Sequence, residues 1–230
     1  MLFEGATFID IGAYSSRPGA KHISEEEELE RILPVVKVLV KEFPEILISI
    51  DTFRSNIAEK CIENGACMVN DISAGSMDTA LFKTIAKFQV PYIIMHMQGT
   101  PQNMQANPTY KNVVTDILYY FSEKIYELRA LGVNDIIADV GFGFGKTMEQ
   151  NYRLLKNLDV FKNLEIPTLA GLSRKSMLYK PLEIVPEKAL NATTAANTIA
   201  LLKGTNILRV HDVKEAVETI KIVALLDRQS

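Results

Sequence analysis

A chain of 230 residues, 47% hydrophobic and 23% charged, has enough apolar material for one sizeable core, and no repeat or low-complexity stretch interrupts it. Its formal net charge of -3 supplies no basic field to attract a phosphate backbone, so nucleic acid is not an expected partner. No apolar run approaches the ~18 residues needed to span a bilayer, and no basic-then-apolar leader opens the chain, so no membrane partner and a cytoplasmic location are expected.

Short apolar runs recur between longer amphipathic stretches, as parallel strands buried on both faces and helices packed outside them require. The first run, 7–11, leads into the polar loop Ser15-Ser16-Arg17-Pro18-Gly19-Ala20, in which Pro18-Gly19 is a turn signal in its own right. Ser24 then opens a helix with an expected capping box, its hydroxyl accepting from the backbone of Glu27 while Glu27 reaches back. That helix has an apolar face of Leu29, Ile32, Val36, Leu39 and Phe43, and Pro34 is a candidate kink. The second run, 46–50, ends at Asp51, and a helix over 54–64 stops at Gly65, a left-handed cap. Cys61 and Cys67, at that helix end and in the next strand, 67–69, read as buried thiols of a reducing compartment rather than a disulfide.

Asn70 follows the third run and His96 the fourth, 92–95. The clearest helix, 113–131, places Val114, Ile117, Leu118, Phe121, Ile125 and Leu128 on one face, and Gly132 ends it. The run 136–138 leads to Asp139 and the segment Gly141-Phe142-Gly143-Phe144-Gly145-Lys146-Thr147. This is not a Walker loop, which needs glycine where Val140 stands, nor a dinucleotide fingerprint, which needs glycine at Lys146. Its glycines suit a tight turn and a close approach to a ligand, with Phe142 or Phe144 offering an apolar face. After the run 168–170, Ser173-Arg174-Lys175-Ser176 precedes a helical turn at Met177, a place that favours anions, although alone it reads equally as a solvated basic turn. Helices near Pro186 and Val213 flank the last run, 207–210, making seven strands and seven helices. Alternation points Arg209 and His211 to the same side.

Strict alternation of strands and helices admits a closed barrel or an open doubly wound sheet. The strand ends favour the barrel, because Asp51, Asn70, His96, Asp139 and Arg209 stand at or just past the ends of different runs, and in a barrel such ends share one mouth. Asp51, Asn70, Asp139 and Lys175 are a set able to read a polar heterocycle. The carboxylates accept from ring N–H and amino groups, and Asn70 and Lys175 donate to ring nitrogens and a carbonyl; a pterin fits. Plainer readings stand beside this one: Asp51 as a helix cap, Asp139 as a buried acid paired with a lysine, His96 as a core residue between gap-filling methionines, His22 as surface. Arg209 and His211 suit a diphosphate, the fork gripping phosphate oxygens and the imidazole stabilising a leaving group.

The motifs FIDIGAYSSRPGA, SIDT, NDI, MHMQGTP, DVGFGFGK, GLSRKSM and RVHDV resemble, in order and spacing from Phe8 to Val213, the dihydropteroate synthase family. The resemblance implies an α/β fold, a TIM-type (β/α)8 barrel acting as a homodimer. It also implies a transferase of folate biosynthesis, which condenses 6-hydroxymethyl-7,8-dihydropterin diphosphate with p-aminobenzoate and is a sulfonamide target. Carried over by motif, Asp51, Asn70, Asp139, Lys175 and Gly171 would hold the pterin, with Met95 and Phe144 lining the pocket. Ser16, Arg209 and His211 would meet the diphosphate, and Arg17, Pro18, Lys175 and Ser176 would shape the p-aminobenzoate site. Asp51, Lys175, Arg209 and His211 are the expected catalytic set, with Mg2+ neutralising the departing diphosphate. Val140 stands where the family usually has proline. The family's opening Asn-Val-Thr-Pro-Asp-Ser-Phe motif, with its first strand and a magnesium-ligating asparagine, has no counterpart, so no metal ligand is assigned. One domain over 1–230, a barrel lacking its first βα unit, is the expectation, with two unpaired strand edges. Two other readings compete: a pterin-binding module without synthase activity, and a methyltetrahydrofolate-binding methyltransferase domain, against which SSRPGA, SRKS and RVHDV argue.

Overall fold

A computed structural model describes residues 1–15, 21–104 and 108–227. Its strands are β1 (Ile9–Ile11), β2 (Ile48–Asp51), β3 (Met68–Asp71), β4 (Tyr92–Met95), β5 (Ile136–Asp139), β6 (Thr168–Ala170) and β7 (Ile207–Leu208), all parallel and in sequence order in one sheet. Between them run α1 (Glu25–Glu42), α2 (Ser55–Ile62), α3 (Leu81–Phe88), α4 (Val113–Ala130), α5 (Met148–Lys156), α6 (Ser176–Tyr179) and α7 (Leu190–Leu202), and α8 (Val213–Asp227) follows β7. Among the described residues β1 pairs only with β2 and β7 only with β6, yet Arg209, just past β7, bonds to Asp10 of β1 and Asp51 of β2. Such contacts require a curled sheet. Among the described residues the fold is a TIM-type barrel with seven strands in place of eight, and a cavity of about 550 Å³ reaches from its interior to α8.

Alternation along each strand sorts the two faces. Outward, Ile48 and Ile50 pack with Ile32 and Val36 of α1 and Ile57 of α2, while Val69, Tyr92, Ile94, Ile136 and Ala138 join Phe121, Leu154 and Phe161 in the largest apolar cluster. Inward, Met68, Ile93, Ile137 and Leu169 fill the floor of the barrel with Ile207 against them. Burying each such side chain contributes roughly 1.5–3 kcal/mol. Two residues further along the same faces come Asn70, Met95, Asp139, Gly171 and Arg209, so an apolar floor underlies a polar rim.

The expected strand 92–95 and the expected 168–170 match β4 and β6, and the other boundaries shift by one or two residues. There are eight α-helices among the described residues, not seven, because the four-residue α6 stands between β6 and α7. The start near Pro186 is a short 3-10 turn, Pro186–Lys188, before α7. Ser24 accepts from the Glu27 backbone at 3.2 Å, but the Glu27 carboxylate pairs with Arg31 instead of reaching back. A complete capping box stands on α5, between Thr147 and Gln150. Phe43 is exposed rather than part of the α1 face. Cys61 and Cys67 are unpaired, and burial pushes the Cys61 thiol up to about 12.

A buried ion pair braces the loop after β2. Arg54 donates to Glu28 at 2.7 Å and to the carbonyls of Ser24 and Ile23, and Thr52 donates to the other Glu28 oxygen at 2.7 Å. Removing one partner of such a pair leaves an uncompensated buried charge, so this bracing holds the chain next to Asp51.

Candidate active site

Adjacent strands place the polar rim. Asp51 of β2 is the register partner of Asn70 of β3, and Met95 of β4 is the partner of Asp139 of β5. Arg209 donates through Nε to Oδ2 of Asp10 at 2.7 Å and through an Nη to Oδ2 of Asp51 at 3.0 Å. Asn70 donates to the same Asp10 oxygen at 3.0 Å. Gly171 lies between the arms of the site: a Cβ there would stand 3.9 Å from Cβ of Arg209 and 4.0 Å from Oδ2 of Asp139. Asn70, Gly171, Lys175, Arg209 and His211 line the cavity; Asp51 adjoins it through Arg209 and Asp139 beside Gly171, while Met95 is buried and is not among the lining residues.

The loop after β5 supplies the facing wall. Asp139 is 7% exposed and accepts from the Gly141 N–H at 2.8 Å through Oδ1, while Oδ2 lies on the Gly171 side. Lys175 donates to the Phe142 carbonyl, and its ammonium sits 4.4 Å from the centre of the Phe144 ring, a cation–π arrangement. Of the two candidate apolar faces, Phe142 belongs to the core and Phe144 stays half-buried beside the lysine. Val140 is fully buried in the same core, so the turn is held by side-chain packing. Gly141 is required, since its φ is 69° and a Cβ would come within 2.1 Å of the His96 carbonyl oxygen.

Charge shifts follow from this enclosure. Burial, with Asp10 beside it, raises Asp51 to about 7 against the pull of Arg209. Burial raises Asp139, opposed by the Gly141 hydrogen bond and by Lys175 and Arg209. Burial lowers Lys175 to about 8, with Asp139 opposing and Arg209 assisting. Closely packed groups of both signs with displaced titration are a frequent mark of functional sites.

His211, at the rim beyond β7, holds its Nδ1 2.9 Å from Oγ of the buried Ser173, which orients the ring. Ser176 is exposed at the start of α6, one residue past Lys175. Ser16, Arg17 and Pro18 lie outside the described residues. His96 does not reach the mouth: it is buried against Tyr120 and accepts from, or lies beside, Lys146 at 3.0 Å. Burial, reinforced by that lysine, lowers its imidazole to about 2. His22 is exposed, yet its Nδ1 lies 3.2 Å from the Tyr14 hydroxyl.

Asp10 is the rim residue that sequence reasoning missed. It ties Asn70 and Arg209 through one oxygen, and its other oxygen, Oδ1, is buried without a hydrogen-bond partner among the described residues. The available signal was a carboxylate in the middle of an apolar run, Phe8-Ile9-Asp10-Ile11, where burial of a charge demands a partner.

Residues 1–211 match the family of pterin binding enzymes. The chain is 43% identical over 224 residues to the dihydropteroate synthase of Haemophilus influenzae, covering 96% of this chain and 81% of that protein. A crystal structure of the Yersinia pestis dihydropteroate synthase with a sulfonamide drug superposes with a TM-score of 0.95 at 40% identity, covering 100% of this chain and 83% of that one. The Xanthomonas albilineans dihydropteroate synthase, solved with 4-aminobenzoic acid, gives 0.91 at 34% identity, covering 98% and 81%. By sequence and by fold, the chain belongs to the pterin binding enzymes and, among them, to the dihydropteroate synthases.

Proposed function

We propose that this chain is a transferase that condenses 6-hydroxymethyl-7,8-dihydropterin diphosphate with p-aminobenzoate to give 7,8-dihydropteroate and diphosphate. The observation that carries this reading is the meeting of Asp51, Asn70, Asp139 and Lys175 with Arg209 and His211 on a single rim. The carboxylates accept the ring N–H and amino protons, and Asn70 and Lys175 donate to ring nitrogen and carbonyl. Arg209, already between two carboxylates, turns its fork to the diphosphate. The C–O bond at the pterin methylene breaks with its electron pair leaving on diphosphate, and the resulting cation is shared by the electron-rich ring and Asp51. The arylamine nitrogen of p-aminobenzoate then attacks that carbon and releases a proton. No covalent nucleophile is needed, and the protein's part is to orient two reactants and stabilise separating charge. Incubating the purified chain with both substrates tests this directly: dihydropteroate should form, and tight pterin binding without product would favour a binding module instead.

Magnesium, expected from the resemblance, finds no ready cage. No three metal-ligating side chains cluster among the described residues, and a guanidinium stands between the Asp10 and Asp51 carboxylates. The described residues do not by themselves fit the ion, and no step is routed through it.

The shifted groups predict a pH profile. Asp51 must be ionised to stabilise the cation, so kcat/KM rises as pH passes about 7. Lys175 must carry its proton to donate to the pterin carbonyl, and its lowered value means that the proton is lost, and kcat/KM falls, as pH passes about 8. Steady-state kinetics on Lys175→Met should retain the acid limb and lose the alkaline one; an unchanged alkaline limb would remove Lys175 from this role.

The reading includes a second copy of the chain as partner and a reducing, cytoplasmic compartment. Supporting the pairing, Leu202 of α7 and Ile222 and Leu226 of α8 expose more than half of their surface, and exposed apolar side chains on packed helices are what a second copy would cover. Light scattering should give twice the monomer mass, and a monomer at micromolar concentration would reject the pairing.

A further inference from the structure

Lys146 is only 3% exposed and forms no ion pair among the described residues. Its ammonium donates to the carbonyl oxygens of Gly141 at 2.9 Å, Phe144 at 2.9 Å and His96 at 3.1 Å, and lies 3.0 Å from His96 Nδ1. These acceptors come from two separate segments, the end of β4 and the glycine loop after β5. An ammonium whose hydrogen-bond partners among the described residues are carbonyls and a neutral imidazole is costly to bury, and burial lowers its proton affinity well below the ordinary lysine range, with the Asp139 charge opposing. The arrangement calls for a reason.

The loop itself supplies one. Gly141, Gly143 and Gly145 take φ of 69°, 81° and 60°, conformations that an unrestrained glycine segment adopts only as one of many. Asn151 of α5 pins the middle, accepting from the Gly143 N–H at 2.7 Å and donating to the Thr147 carbonyl at 2.7 Å. Lys146 pins both flanks. What the pinned loop carries is the working face of the site: the Gly141 N–H on Asp139, the Phe142 carbonyl that receives Lys175, and the Phe144 ring beneath that lysine.

We propose that Lys146 is a positioning residue for the pterin site, drawing the carbonyls of His96, Gly141 and Phe144 onto one ammonium so that the loop presents Asp139 and Lys175 to the ring. This rests on the pterin reading above. Lys146→Met keeps the length of the side chain and removes every N–H. Calorimetry with 6-hydroxymethylpterin should show its Kd raised about tenfold, while the KM for p-aminobenzoate rises several-fold less, because the loop presents Asp139 to the pterin alone and only Lys175 serves both substrates. Lys146→Gln retains amide donors and should fold with a smaller loss in the same direction, which covers the case in which the methionine variant fails to fold. A folded variant of either kind with unchanged pterin affinity, or with equal losses for both substrates, overturns the proposal. Asp139→Asn and Lys175→Met separate the two readings. If both leave pterin affinity intact, the pterin assignment itself fails; if both weaken it and the Lys146 variants do not, only the positioning role fails.

Discussion

Arg209→Ala is expected to weaken binding of pterin diphosphate on the order of a hundredfold while changing the affinity of the bare pterin only a few-fold, since two charge-assisted contacts at about 1.5 kcal/mol or more each are lost with the guanidinium. The side chain is nearly half exposed and is held by Asp10 and Asp51 rather than by packing, so its removal should disturb the apolar floor little. Asp10 and Asp51 lose their shared cation in this variant. The acid limb of the pH profile, set by Asp51, should therefore move to higher pH. Calorimetry with the two ligands side by side checks the first part, and equal losses for pterin and pterin diphosphate would take Arg209 out of the diphosphate site.

Asp139→Asn is expected to weaken pterin binding by about 2 kcal/mol, roughly thirtyfold. Oδ1 of Asp139 is committed to the Gly141 N–H at 2.8 Å, and an asparagine oxygen can keep that bond. The new amide then turns its N–H groups toward ring N–H and amino protons, setting donor against donor where a carboxylate accepted. The change is nearly isosteric, and it relieves the burial that raises this group, so stability should hold or rise. A titration giving the parent affinity in a well-folded variant would show that the ring does not sit against Asp139.

Much of this was legible in the sequence because strand ends in a parallel sheet are punctuated. Five of the seven apolar runs stop at a polar residue, and that punctuation is enough to assign Asp51, Asn70, Asp139 and Arg209 to one rim. His96 shows the limit of that logic: it also follows a strand, yet the chain turns there and directs the ring into the layer of Tyr120 and Lys146. Asp10 was hidden because β1 is three residues long, too short to show which face its acid takes. Lys146 was hidden because its partners are backbone carbonyls, which every sequence has, and only the path of the loop brings them together. The turn expected at Met177 is α6, whose four residues have no periodicity to read and so did not enter the count of helices. Glu27 answers to Arg31 rather than to its own helix start, a choice between two local partners that sequence spacing leaves open.

The central claim is spatial, and a crystal structure of the chain with 6-hydroxymethylpterin bound tests it most directly. The ring should lie at the carboxyl-terminal rim, its edge within hydrogen-bond distance of Asp51, Asn70, Asp139 and Lys175, above the floor formed by Met68, Ile93 and Leu169. A ring seated elsewhere in the cavity, against Val213, Val217 and Ile220 of α8 with those four side chains untouched, would contradict the account.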